Sequence, residues 1–171
     1  MIDRIGVLRK IEQAAFALEN HIHNRERWFG KSGDQSGNNW GTESSLTPFR
    51  AISGNIAFGS DADDEALVLG TDDTPCIAGT TRFDPHTIMV EAASVATEYV
   101  IRVIYGTGTM ADAETAGQYS DTMVTDAKKG EPLDIHMPRL TSGSHKVWVR
   151  IKNGTDNATM DFHYGIHEYE R

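Results

Sequence analysis

A few groups of residues in this sequence have types and spacings that chemistry could use. Gly30-Lys31-Ser32 has the form of the end of a phosphate-binding loop, in which backbone amides and a lysine cradle a phosphate. Such a loop needs a glycine five residues earlier, where Arg25 stands, so phosphate binding is rejected. Asp61, Asp63, Glu65 and Asp72 fall at positions 1, 3, 5 and 12 of a calcium-type loop. Position 6 is Ala66 where the turn needs glycine, and position 12 is not the bidentate Glu, so Asp61 to Glu65 reads as an acidic turn. Seven histidines are dispersed. His163 and His167 share one face of a predicted strand, but four residues there span roughly 13 Å. That is too far to share a metal, and solvated imidazoles on a polar face are the expectation. The single cysteine, Cys76, reads as a small core residue and excludes an intrachain disulfide. Asn153-Gly154-Thr155 and Asn157-Ala158-Thr159 match a glycosylation triplet and read as turns. No nucleophile sits in a glycine-flanked elbow. The expectation is a protein that is not an enzyme and carries no cofactor or metal.

Three segments must position whatever the protein does use. Residues 1–30 are expected to hold an N-terminal amphipathic helix, spanning 3–27. Leu8, Ile11, Ala15, Leu18 and Ile22 are spaced 3, 4, 3, 4 and fall on one stripe. Gly30 is a natural stop. Residues 31–65 read as an extended connector arm, rich in Gly, Ser, Asn and Thr. Trp28, Phe29 and Trp40 read as aromatic anchors of an arm lying on a surface, its own or a neighbour's. From residue 66 the apolar period becomes two. Strands are expected at 66–69, 76–83, 87–93, 98–105, 120–126, 133–137, 146–152 and 159–169, with one helical turn at 111–117. Short strands joined by Gly-, Asn- and Pro-bearing turns predict that 66–171 is an antiparallel two-sheet sandwich, jelly-roll-like.

Charge and hydropathy bound the partners. The chain of 171 residues carries a formal charge of −9, which argues against nucleic acid, whose phosphates need clustered Lys and Arg. Residues 1–31 hold six basic and four acidic side chains, so the remainder carries −11. A mildly basic arm on an acidic body predicts that the two meet different surfaces. No apolar run approaches the roughly 20 residues of a membrane helix. The first residues lack an apolar leader core, so synthesis in the cytosol without a secretory signal is expected.

The layout resembles the decoration, or cement, proteins of tailed-phage capsids. The residues that carry the likeness are Arg27-Trp28-Phe29-Gly30 through Trp40-Gly41, the strand Tyr99-Val100-Ile101-Arg102-Val103-Ile104-Tyr105-Gly106, and the terminal Asp161-Phe162-His163-Tyr164-Gly165-Ile166-His167-Glu168-Tyr169. The resemblance covers the chain in outline and implies a homotrimer on the outside of a virion, made in the host cytoplasm. Its partner would be the major capsid protein, and no catalytic residue is carried over. The expected interface comprises Leu8, Ile11, Ala15, Leu18, Ile22, Trp28, Phe29 and Trp40. The alternative is a carbohydrate- or receptor-binding jelly-roll module of a phage fibre or tail, with Trp148, Tyr99 or Tyr105 as a stacking platform.

Overall fold

The computed structural model describes residues 25–31, 41–43, 46–59, 66–69, 82–125, 129–130, 132–141 and 144–169. These residues form twelve strands in two sheets, and one short helix. The strands are β1 (Arg25–Lys31), β2 (Gly41–Glu43), β3 (Phe49–Ile52), β4 (Gly54–Asn55), β5 (Ala66–Leu69) and β6 (Arg82–Ala93). After them come β7 (Tyr99–Gly106), β8 (Tyr119–Val124), β9 (Pro132–Asp134), β10 (Leu140–Thr141), β11 (Lys146–Asn153) and β12 (Thr159–Tyr169). The helix α1 (Met110–Thr115) lies between β7 and β8.

The first sheet runs β10-β6-β12-β1-β2, with β3 also on β12 and β9 also on β6. The second runs β4-β11-β7-β8, with β5 also on β11. Pairing is antiparallel except between β4 and β11. The edge of β12 that faces away from β6 is shared end to end: β3 takes Thr159 to Phe162, and β1 takes Tyr164 to Glu168. One hydrophobic cluster joins the two sheets. The first contributes Phe29, Phe49, Phe83, Ile88, Phe162 and Tyr164, and the second Tyr99, Ile101, Val103, Val147, Val149 and Ile151.

That cluster runs across the expected boundaries at residues 30 and 65. The predicted helix was to run through residue 27, but Arg25–Lys31 is a strand. Its alternation places Phe29 opposite Tyr164 in the core, 4% exposed. Burying an aromatic ring on a preformed sheet outweighs the helix-forming composition before it. The connector is likewise part of the body where it is described. Phe49 and Ala51 of β3 are core residues. Ser53, the single residue between β3 and β4, marks where the chain passes from one sheet to the other. Its amide donates to the Ala158 carbonyl, and its hydroxyl donates to that of Thr155 and accepts from the Ala158 amide, tying the crossing to the β11–β12 turn.

The long β6–β12 pairing has a register that plain alternation conceals. Met160, Phe162, Tyr164, Ile166 and Glu168 advance by two along β12. They lie opposite Ala93, Val90, Ile88, Pro85 and Phe83, which step by three, two, three and two along β6. The two steps of three are β-bulges, leaving Glu91 and His86 as the additional residues.

Candidate functional site

Both bulges place a side chain beside a histidine of β12, on the face of the first sheet turned away from the core. Glu91 Oε1 is 3.6 Å from His163 Nε2. The His86 ring stacks on that of His167, with centroids 3.8 Å apart and planes at 31°. His167 is 7% exposed. Its Nδ1 is 3.7 Å from Asp84 Oδ1, while Asp84 Oδ2 accepts a 2.8 Å hydrogen bond from the Tyr169 hydroxyl. The Arg139 guanidinium lies 4.0 Å above the Tyr169 ring. Burial, then the hydrogen bond and charge of Asp84, push the Tyr169 phenol up to about 12 against the opposing pull of Arg139. The expected solvated imidazoles are thus corrected: a period-two reading of β12 finds their shared face, but not the bulges that supply their neighbours.

A second polar assembly lies on the outer face of the second sheet. Thr109 caps α1, its hydroxyl accepting from the Asp112 amide, and Met110 and Ala113 pack on Ile104 and Trp148. The close approach requires Gly106, where a Cβ would stand 2.9 Å from that of Ala113. Beyond the helix, Glu114 accepts from both Arg102 (3.2 Å) and Arg150 (2.6 Å). Arg102 also clasps Asp121 through two 2.7 Å bonds and lies between the rings of Phe58 and Tyr119. Hydrogen bonding to Asp121 raises the Arg102 pKa further, against a lowering by burial. Arg150 donates to the carbonyls of Phe58 and Gly59. This network fastens the 56–59 segment to the sheet and presents no nucleophile.

Toward its other end the same face carries Met123, Val100 and Lys152 side by side. Met123 is 67% exposed and lies opposite Val100, which in turn lies opposite Lys152. Leu46 is 94% and Ile56 68% exposed. No sequence motif marks these residues; Leu46 and Ile56 stand within the connector, whose large side chains are its only signal.

Of the expected interface residues, Phe29 is in the core. Trp28 is half-buried, its ring lying over Gly165. Leu8, Ile11, Ala15, Leu18, Ile22 and Trp40 lie outside the described residues, as do the acidic turn of Asp61 to Glu65, Asp72 and Cys76. The stacking platform of the carbohydrate reading is corrected for two of its three residues; the third, Tyr105, is half-buried and packs against the core. Trp148 is 4% exposed beneath α1, and Tyr99 is fully buried with its hydroxyl donating to the Thr159 carbonyl. Asn153, expected as a turn residue, is instead the buried last residue of β11; its side-chain amide donates to Thr97 and Glu98, and its Oδ1 accepts from the Thr155 amide of the following turn. Among the described residues, no three His, Cys, Asp or Glu side chains gather to hold a metal, and no helix is long and apolar enough to cross a membrane. No protein-family model matches the chain, and no curated protein matches it significantly.

Proposed function

We propose that the protein is a virion structural protein, a capsid decoration protein that self-associates as a trimer and braces the outer capsid surface. On this reading the two sheets form a jelly-roll-like sandwich, and residues 1–24 supply the self-association through the stripe of Leu8, Ile11, Ala15, Leu18 and Ile22. The major capsid protein is the partner. Neither nucleic acid nor membrane is one, and no catalysis is required.

The observation that carries the reading is the set of large apolar side chains exposed among the described residues: Leu46, Ile56, Met123 and, less so, Tyr119. Exposed Leu residues are ordinary singly, but Met123 continues onto Val100 beside the cationic Lys152. A mixed apolar and basic strip of this kind suits contact with another protein. The resemblance in layout and the apolar stripe point the same way. Burial of Trp148 and Tyr99 weakens the carbohydrate alternative, leaving the half-buried Tyr105 of its expected platform.

Co-sedimentation tests the proposal. Mixed with assembled shells of the major capsid protein of its own phage, the full chain pellets with them, and Met123→Asp weakens the binding about tenfold or more. A wild-type chain that stays in the supernatant contradicts the proposal.

A further inference from the structure

Asn153 and Gly154 form the one Asn-Gly pair of the sequence. Such a pair is chemically labile. The glycine amide nitrogen attacks the asparagine Cγ, a C–N bond forms, and the Cγ–Nδ2 bond breaks to release ammonia. Water then opens the resulting succinimide at either carbonyl, leaving aspartate or isoaspartate. Glycine makes the attack fast because no side chain hinders the approach of its nitrogen.

The fold restrains Asn153 at each of its polar groups. The residue ends β11, where it lies opposite Tyr99 of β7 and Asn55 of β4 and is 2% exposed. Its Nδ2 donates to the Thr97 hydroxyl at 2.9 Å and to the Glu98 carbonyl at 2.8 Å, so both of its hydrogens are engaged. Its Oδ1 accepts from the Thr155 amide at 2.7 Å, and its backbone carbonyl accepts from the Ile56 amide. Ring closure needs the side chain swung onto the Gly154 nitrogen and the backbone turned out of the extended region. Either movement breaks these bonds. The nucleophile itself is on the solvent side: Gly154 and Thr155 are exposed and line a groove with Thr97, Glu98 and Thr125. The turn does not call for glycine. Gly154 lies outside the left-handed region, and a Cβ there would meet open space.

We propose that Asn153-Gly154 is a latent deamidation site, held shut by Thr97 and Glu98 and modified only when that end of the second sheet opens. The product does not fit back. A carboxylate at 153 has no hydrogen to offer the Glu98 carbonyl, 2.8 Å from the present Nδ2, and is repelled by it in a buried place. Isoaspartate routes the chain through the former side chain, adding a backbone carbon where β11 meets Tyr99 and Asn55. An opening that ends in reaction is therefore irreversible, and the modified fraction records past openings.

The folded full chain and the same chain in guanidinium chloride are incubated at mildly alkaline pH and digested in acid, and mass spectrometry reads conversion at 153. The folded chain should convert about a hundredfold or more slowly. Thr97→Val removes the hydroxyl acceptor and should speed the folded reaction about tenfold without changing the unfolded rate. Thr97→Ser keeps the hydroxyl and should stay near wild type. Gly154→Ala should melt with wild type yet slow the unfolded reaction about tenfold. Thr97→Ala serves as a second variant should valine disturb the turn. A folded wild type that converts as fast as the unfolded chain, or Thr97→Val and Thr97→Ala at the wild-type folded rate, overturns the proposal.

Discussion

The indole of Trp28 lies flat against Gly165, its cross-strand neighbour: a Cβ on Gly165 would stand 3.3 Å from the Trp28 Cη2 and Cζ3 atoms. Glycine here is a matter of space, since on the β1 side the contact lies within unbroken pairing, between His163 and His167 on β12. Gly165→Ala should therefore cost about 1–2 kcal/mol by forcing the ring to shift. Trp28→Ala should cost about 2 kcal/mol, less than for a fully buried ring. The double variant should cost less than the sum of the two, because without the indole the added methyl meets open space. Urea denaturation of the four proteins measures the coupling, and strict additivity would contradict the contact.

Glu114 is the hinge of the second polar assembly, because its carboxylate bonds both Arg102 and Arg150. The three side chains are 13–18% exposed. Removing the carboxylate leaves two partly desolvated guanidiniums, one of which retains Asp121. Glu114→Ala should destabilise by about 2–3 kcal/mol, whereas Arg50→Ala, which breaks the exposed Arg50–Asp161 pair, should cost under about 1 kcal/mol. Thermal melts in low and high salt check the contrast, with only the Arg50 effect shrinking markedly as salt rises.

Tyr169 gives an alkaline test. Its phenol is pushed up to about 12 in the folded chain, above the ordinary value of 10, so the folded state holds that proton more firmly than the unfolded chain. The associated stability is present below about pH 10 and is lost as pH rises toward about 12. In an absorbance titration the Tyr169 phenol should ionise late. Asp84→Asn removes the charge and should move that ionisation toward lower pH, although burial keeps it above normal. An unchanged titration in Asp84→Asn would contradict the 2.8 Å bond.

Much of the second half of the fold is legible in the sequence. Strands at 66–69 and 159–169 fall on the expected residues, and β7, β8 and β11 within two. In β11 and β12 the apolar period of two survives because each is paired on both sides and forms one wall of the core. The helical turn expected at 111–117 appears as α1 at Met110–Thr115. β6 was harder to see: its core positions Phe83, Pro85, Ile88, Val90 and Ala93 follow the bulges, and Pro85 invites a break between 83 and 87. The expected 133–137 strand ends at Asp134, after which the Ile135 amide donates to the His86 carbonyl within that bulge. β1 and β3 were hidden for a different reason. Each is short and lies in a stretch whose local composition favours helix or coil, so Phe29, Phe49 and Ala51 acquire their place only from β12. The histidine cluster depends on the same bulges, which no local pattern announces.

These pairings change what truncation should do. Removal of residues 1–59 deletes β1, β2, β3 and β4 and strips Phe29, Phe49 and Ala51 from the core. Loss of either phenylalanine alone should cost about 3–5 kcal/mol, a large part of the stability of an ordinary domain. The 60–171 fragment should therefore fail to melt cooperatively by calorimetry. Phe49→Ala in the full chain provides the milder check, with a lowered but still cooperative transition. A stable, cooperatively melting 60–171 fragment would contradict the placement of β1 and β3 in the sheet.

Sedimentation equilibrium at micromolar concentration, comparing the full chain with residues 25–171, tests most directly the claim that residues 1–24 drive self-association of a complete β-body. The full chain should sediment at three times its 18.9 kDa mass, and the 25–171 protein as a folded monomer with an unchanged far-ultraviolet β signature. A monomeric full chain, or a 25–171 protein that still forms the same oligomer, would contradict it.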